Sequence, residues 1–168
     1  PMLEEALAQF APQPVVDLPA PLKAQLSVAT QFSQIEFCGS NSDCGDAAMQ
    51  GAGLIAFDAQ LAPTARGEDI PENARGAIFR GSSFPTFDAG ADFGLAISDD
   101  FINQMFWATW YSGAMNIDVV AQMGESLPDA VEQATVQVLS PPVVMPGSGA
   151  TGIMIGLGNI RVQTRVDA

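Results

Sequence analysis

The amino-acid sequence predicts an α+β fold in which one or two amphipathic helices lie against a curved antiparallel sheet. Three observations carry that expectation. Sixteen glycines and twelve prolines, with only 15% charged residues, favour turns and strands over a helical bundle. Several stretches alternate apolar and polar residues with period two, the pattern of half-buried strands. Two stretches switch to helical spacing, and helices laid on a twisted sheet would cover both apolar faces.

In chain order, MLEEALAQF places Leu3, Ala6, Leu7 and Phe10 on one side of a short helix, which Pro12 and Pro14 end. Val15 to Leu22 is extended and punctuated by proline. From Lys23 to Cys38 the alternation is loose, with Leu26, Val28 and Phe32 on one face and Ile35 and Phe37 on the other. That change of side calls for a bulge or bend part-way along. Met49 to Leu61 alternates cleanly, with Ile55, Phe57, Ala59 and Leu61 facing one way and Asp58 and Gln60 the other. Gly51 and Gly53 on the inward face leave room for a bend, a close backbone approach or a ligand.

Pro63 to Phe87 is a loop by composition, long enough to suggest a functional or wrapping segment, with a short strand at Ala77 to Phe79. A strand–helix–strand unit follows over Asp92 to Val120. Phe93, Leu95 and Ile97 alternate, Ser98 is placed to cap a helix, and Asp99 and Asp100 set negative charge at its positive end. Gly113 supplies the stop, and Met115, Ile117 and Val119 alternate again. On the helix, Phe101, Ile102, Met105, Phe106, Thr109 and Trp110 make an apolar stripe. Asp100, Asn103, Gln104, Trp107 and Tyr111 form the other side, where two rings call for a second layer, a partner chain or a lipid. The plainer reading lays them on a neighbouring sheet. Val131 to Leu139, Val143 to Met145, Ile153 to Leu157 and Ile160 to Val166 complete the strands. The whole reads as one domain of 168 residues, a piece of a longer chain. Its parts are a lead-in over 1–22, a hairpin over 23–62, a loop over 63–91, the central unit over 92–120 and strands over 131–168.

The charge balance, 19 Asp and Glu against 6 Lys and Arg, argues against nucleic acid and anionic membranes as partners. No apolar run approaches the roughly 20 residues of a transmembrane helix, and the start lacks the basic lead of a signal peptide. Cys38 and Cys44 flank a turn-rich tip, where a disulfide fits and implies a secreted, periplasmic or cell-surface setting. Two thiolates without any histidine do not complete a zinc tetrahedron. The oxygens of Asn41, Ser42, Asp43 and Asp46 suit calcium by type but lack EF-hand spacing, and a solvated tip is the plainer reading.

No metal, cofactor or catalytic residue is expected. Without histidine the usual general base and the nucleophile–histidine pairs are missing. Asp99 and Asp100 diverge as neighbours on a helix start and do not flank one substrate bond. GSGATG lacks the lysine of a phosphate loop, and GIMIGLG precedes a strand where a dinucleotide fingerprint opens a helix.

The order of features resembles the bactericidal/permeability-increasing protein and lipid-transfer group, within the tubular lipid-binding superfamily. The likeness lies in Ile97-Ser98-Asp99-Asp100-Phe101-Ile102-Asn103, then Trp110-Tyr111-Ser112-Gly113-Ala114-Met115. Leu139-Ser140-Pro141-Pro142-Val143 and Gly152-Ile153-Met154-Ile155 continue it, and it runs from about residue 3 to 166. The resemblance implies a long, highly curved antiparallel sheet, a super-roll or half-barrel wrapped around helix, with an apolar groove for acyl chains. Its members are longer, so this chain would be about one half of such a protein. Endotoxin-binding members use basic tips that this chain lacks, and their disulfide lies elsewhere.

Two functions are therefore expected, from different classes. The first is a secreted module holding lipid or fatty acid between sheet and helix. Phe93, Leu95, Ile97, Phe101, Ile102, Met105, Phe106 and Trp110 would form one wall, facing Ile55, Phe57, Ile153 and Ile155. These residues serve equally as an ordinary core. The second is a structural or adhesion module with a filled core, joining other copies or domains through Trp107, Tyr111 and strand edges.

Overall fold

A computed structural model describes residues 15–20, 22, 24–37, 53–81, 93–147 and 152–167. The helix expected over Met2 to Phe10, the Cys38–Cys44 pair and the candidate calcium oxygens of Asn41, Ser42, Asp43 and Asp46 lie outside these residues, as do Met49 and Gly51. The chain is mainly β with few helices, an α+β arrangement. Its strands are β1 (Val15–Asp17), β2 (Gln25–Phe37), β3 (Gly53–Pro63), β4 (Ile117–Asp118), β5 (Val131–Val138), β6 (Val143–Pro146), β7 (Ile153–Gly156) and β8 (Ile160–Val166). Helix α1 (Asp99–Tyr111) precedes β4, and the short α2 (Val119–Met123) follows it.

The strands form three small sheets, ordered β1-β2-β3, β4-β5-β8 and β6-β7, with every pairing antiparallel. Among the described residues these sheets do not curl into a half-barrel.

Helix α1 begins and ends where its sequence dictates. The Ser98 hydroxyl accepts from the Phe101 amide at 3.1 Å. At the other end the Gly113 N–H donates to Trp110 O and the Ala114 N–H to Thr109 O, a Schellman closure that needs the left-handed backbone of Gly113 (φ 78°).

The packing of α1 differs from the one-sided burial its periodicity suggests. No residue of α1 is exposed, and it packs against both β3 and β6. Asn103, expected on the outer side, is 2% exposed, while Phe101, Ile102, Met105 and Phe106 of the expected inner stripe are only half-buried. The reason is hydrogen bonding at sheet edges. Asn103 Oδ1 accepts from the Val144 N–H at 2.7 Å and its Nδ2 donates to Val144 O at 3.3 Å, pairing with β6 as a strand would. The adjacent Gln104 Oε1 accepts from the Leu61 N–H of β3 at 3.0 Å. Trp110 Nε1 donates to Val138 O at the end of β5, at 2.7 Å. The core thus gathers around α1, with Ala108, Trp110, Val144 and Ile70 buried.

Three expected strands are missing or cut short. Phe93 to Ser98 has no regular structure and no strand partner among the described residues, so its alternation is not read out as a ladder. The strand expected through Met115 to Val119 is cut to Ile117–Asp118, because the Asp118 carboxylate accepts from the Ala121 amide at 3.0 Å and caps α2. Ala77 to Phe79 is likewise irregular.

Removing the Asn103 amide should be the costliest single polar change at α1. It strands a donor and an acceptor of buried Val144, at about 1–3 kcal/mol each. Asn103→Ala is expected to lower the unfolding free energy in urea by about 2–4 kcal/mol. Gln104→Ala, losing one part-buried bond, should cost about 1 kcal/mol. Equal losses would refute the edge-pairing role of Asn103.

Candidate functional site

The β2–β3 ribbon carries an uncovered apolar surface that can be traced residue by residue. Its register pairs Leu26 with Pro63, Val28 with Leu61, Phe32 with Phe57, Ile35 with Ile55 and Phe37 with Gly53. Residues 53, 55, 57, 59, 61 and 63 alternate along β3 and share one face, so their partners share it too. Phe32, Ile35 and Phe37 therefore lie on the same face. Simple alternation along β2 had put Ile35 and Phe37 opposite Phe32. The register shift between Phe32 and Gln34 leaves one residue over, and that extra residue restores the parity.

The opposite face is mixed, with Ser27, Gln31, Gln34, Glu36, Asp58 and Gln60 among Ala29, Leu54, Ala56 and Ala62, and it carries no aromatic ring. Coverage of the apolar face is graded along its length. Leu26 is buried, Val28 and Leu61 are half-buried, and Ile55, Phe57 and Phe37 are 52%, 55% and 73% exposed. The Phe32 and Phe57 rings meet across the strands at 4.6 Å between centroids. The apolar surface thus starts in the core and runs out of it uncovered. Patches of this kind mark grooves or interaction surfaces.

The other residues of the expected wall divide in two. Trp110 is buried, and Phe101, Ile102, Met105 and Phe106 are half-buried on α1. Phe93, Leu95 and Ile97 are exposed, as are Ile153 and Ile155 on β7. An open pocket of about 330 Å³ lies at Asp17, Leu18, Ala24, Gln25, Thr64, Ala65 and Ser112, and contains none of the wall residues. The bulge that the change of side called for is present, yet sequence reasoning left Phe32, Ile35 and Phe37 out of the wall, because the bulge was not carried through to the facing of the residues beyond it.

Trp107 and Tyr111 have a second layer of their own chain. Their rings lie 4.9 Å apart, both are half-buried, and Trp107 Nε1 donates to Arg75 O at 2.6 Å. The layer is the segment 64–81, which follows β3 as a strap over α1. Buried Ile70 anchors it, and the Gly67 N–H donates to Tyr111 O at 2.8 Å. A Cβ on Gly67 would come within 2.7 Å of Gly113 Cα, so only glycine fits that crossing. Asp69 accepts from Gln137 at 3.2 Å.

Asp100 ties down the far end of the strap. Its two carboxylate oxygens accept from the amides of Arg80, at 2.8 Å, and Gly81, at 3.1 Å. Helix-start charge is thus only part of what Asp100 does, and the strap contact had no local signal in the sequence. Asp99 accepts from the Asp100 amide at 3.1 Å.

Among the described residues no three His, Cys, Asp or Glu side chains converge as a metal site. No helix there is long and apolar enough to cross a membrane. Comparison with protein-family models, with curated proteins and with solved structures finds no match in any of the three.

Loss of the strap's last anchor should be visible locally. Asp100→Ala is expected to speed amide hydrogen exchange at Arg80 and Gly81 by on the order of fivefold, leaving β5 and β8 amides unchanged. Unchanged exchange at both positions would show that the carboxylate holds nothing. Gly67→Ala should destabilise the whole domain by about 2 kcal/mol or more, read as a lower urea midpoint.

Proposed function

We propose that this chain is a non-enzymatic lipid-binding module that holds acyl chains, or a ligand of like chemistry, on the apolar face of the β2–β3 ribbon. The observation that carries the reading is the continuity of that face from buried Leu26 out to Phe57, Ile55 and Phe37, where every large aromatic side chain of the ribbon is gathered. A ribbon in water on both sides gains nothing from so continuous an apolar face. Covering five side chains that are already about half buried is worth on the order of 1 kcal/mol each, enough to hold a flexible apolar ligand.

The likeness of the 97–115 and 139–155 stretches to the bactericidal/permeability-increasing protein and lipid-transfer group supports the same reading. The half-barrel of that group belongs to the proposal as well. Its support is that α1 hydrogen-bonds the edges of two sheets, so that both meet around one helix. A secreted, periplasmic or cell-surface setting goes with it, on the spacing of Cys38 and Cys44 alone.

The competing reading joined copies or domains through Trp107, Tyr111 and strand edges. Both rings are engaged by the strap and by each other, which favours an apolar ligand over assembly through these two residues.

Titration with a fluorescent fatty acid, alongside native mass spectrometry after gentle purification, tests the proposal. The wild-type chain should bind saturably, and Ile55→Ser with Phe57→Ser should weaken binding by about tenfold or more with an unchanged far-UV spectrum. If no lipid co-purifies and the probe does not bind, the reading is wrong.

A further inference from the structure

Strand β8 closes one side of the β4-β5-β8 sheet and is exposed at all seven positions. Among the described residues β5 is its sole strand partner. The outward edge can be assigned from the ladder. The Leu139 N–H donates to Asn159 O at 2.8 Å, and the Asp167 N–H to Ala130 O at 2.9 Å, one at each end of the β5–β8 pair. Antiparallel hydrogen-bonded pairs alternate with non-bonded ones. Counting inward from both ends, Arg161, Gln163 and Arg165 direct their backbone groups to β5. Ile160, Val162, Thr164 and Val166 direct theirs away from it.

Edge strands are commonly blunted by proline, by charged side chains, by a bulge or by inward-pointing charge; β8 has no proline, and its two arginines are the device it carries. The register irregularity of the pair leaves its extra residue, Glu132, on β5. The charges on β8 are also of unusual sign for this chain. Two of the six basic residues stand on it, with no acidic one, in a protein of net charge −13. Arg165 pairs with Glu132 at 2.7 Å, whereas Arg161 has no ion-pair partner among the described residues. Ile160, Val162 and Val166 on the other face are all about half exposed or more.

We infer that the free edge of β8 receives an extended peptide segment as an added strand, one that alternates acidic and apolar residues. Its backbone pairs with the outward groups of Val162 and Thr164. Its acidic side chains lie beside Arg161 and Arg165, and its apolar ones beside Ile160, Val162 and Val166. Antiparallel self-pairing of β8 about Gln163 would set Arg161 against Arg165, and self-pairing about Val162 would set both against uncharged residues, whereas an acidic strand offers each a partner. The inference is independent of the lipid-binding reading, which concerns the other sheet.

The test uses the full chain and two short blocked peptides, one alternating Glu and Val, the other Lys and Val. The Glu peptide should bind saturably and the Lys peptide at least about tenfold more weakly, with the difference shrinking in high salt. Thr164→Pro removes an outward N–H that β5 does not use, and should weaken Glu-peptide binding by about tenfold while keeping the far-UV spectrum. Should that proline disturb the fold, Arg161→Glu with Arg165→Glu gives the second reading, and is expected to reverse the peptide preference. Equal binding of the two peptides, or a preference that survives charge reversal, would overturn the inference. So would failure of the Glu peptide to bind a chain that sediments as a dimer.

Discussion

Two adjacent amides on α1 hold this architecture together. Asn103 pairs with both backbone groups of Val144 on β6, and Gln104 takes the Leu61 amide on β3. Edge strands leave unpaired donors and acceptors, and a buried unpaired group is costly. By placing side-chain amides at two edges, one helix stands where strands would otherwise be needed. With the Trp110 bond to Val138 of β5, that explains how three small sheets gather around one helix without merging.

The strap follows from the same geometry. With its flanks against β3 and β6, α1 would still present Trp107 and Tyr111 to water. Segment 64–81 covers them at low cost in ordered structure, through Ile70, the Gly67–Gly113 crossing and the Trp107–Arg75 bond. Asp100 finishes the strap by accepting from Arg80 and Gly81. The helix thereby has a neighbour on each of these sides and no exposed residue, with Asn103 and Gln104 satisfied by backbone and the Trp107 and Tyr111 rings met by its own loop. Among the described residues no buried side-chain nitrogen or oxygen is left without a partner.

What α1 does not cover defines the surface available for function. The apolar face of β2–β3 is packed only at its Leu26 end, and the remaining Phe and Ile side chains stay open. Strand β8, held by β5 alone, is open on its outer edge. The two surfaces differ in kind. One is a broad apolar strip suited to flexible hydrocarbon, and the other is a ladder of directed backbone groups flanked by positive charge. They sit on different sheets and make separate demands on a ligand.

Much of the fold was legible locally. Ser98 and Gly113 bound α1 through capping chemistry that needs only neighbouring residues, and alternation located β2, β3 and β5 to β8. What alternation missed has specific causes. The change of side in β2 did call for a bulge, but only the pairing places its one extra residue after Phe32, so that Ile35 and Phe37 join the candidate site instead of opposing it. Asp118 prefers to cap a helix, so the strand expected there stops after two residues. Helical periodicity sorted α1 into an apolar inside and a polar outside, yet Asn103 is buried. Periodicity weighs hydrophobicity and is blind to an amide that replaces a strand partner far away in the chain. By itself, then, the sequence determined where elements begin and end, because caps, breakers and period two act over a few residues. Tertiary structure alone decided which faces are covered, because that depends on the unpaired groups of edges more than forty residues distant.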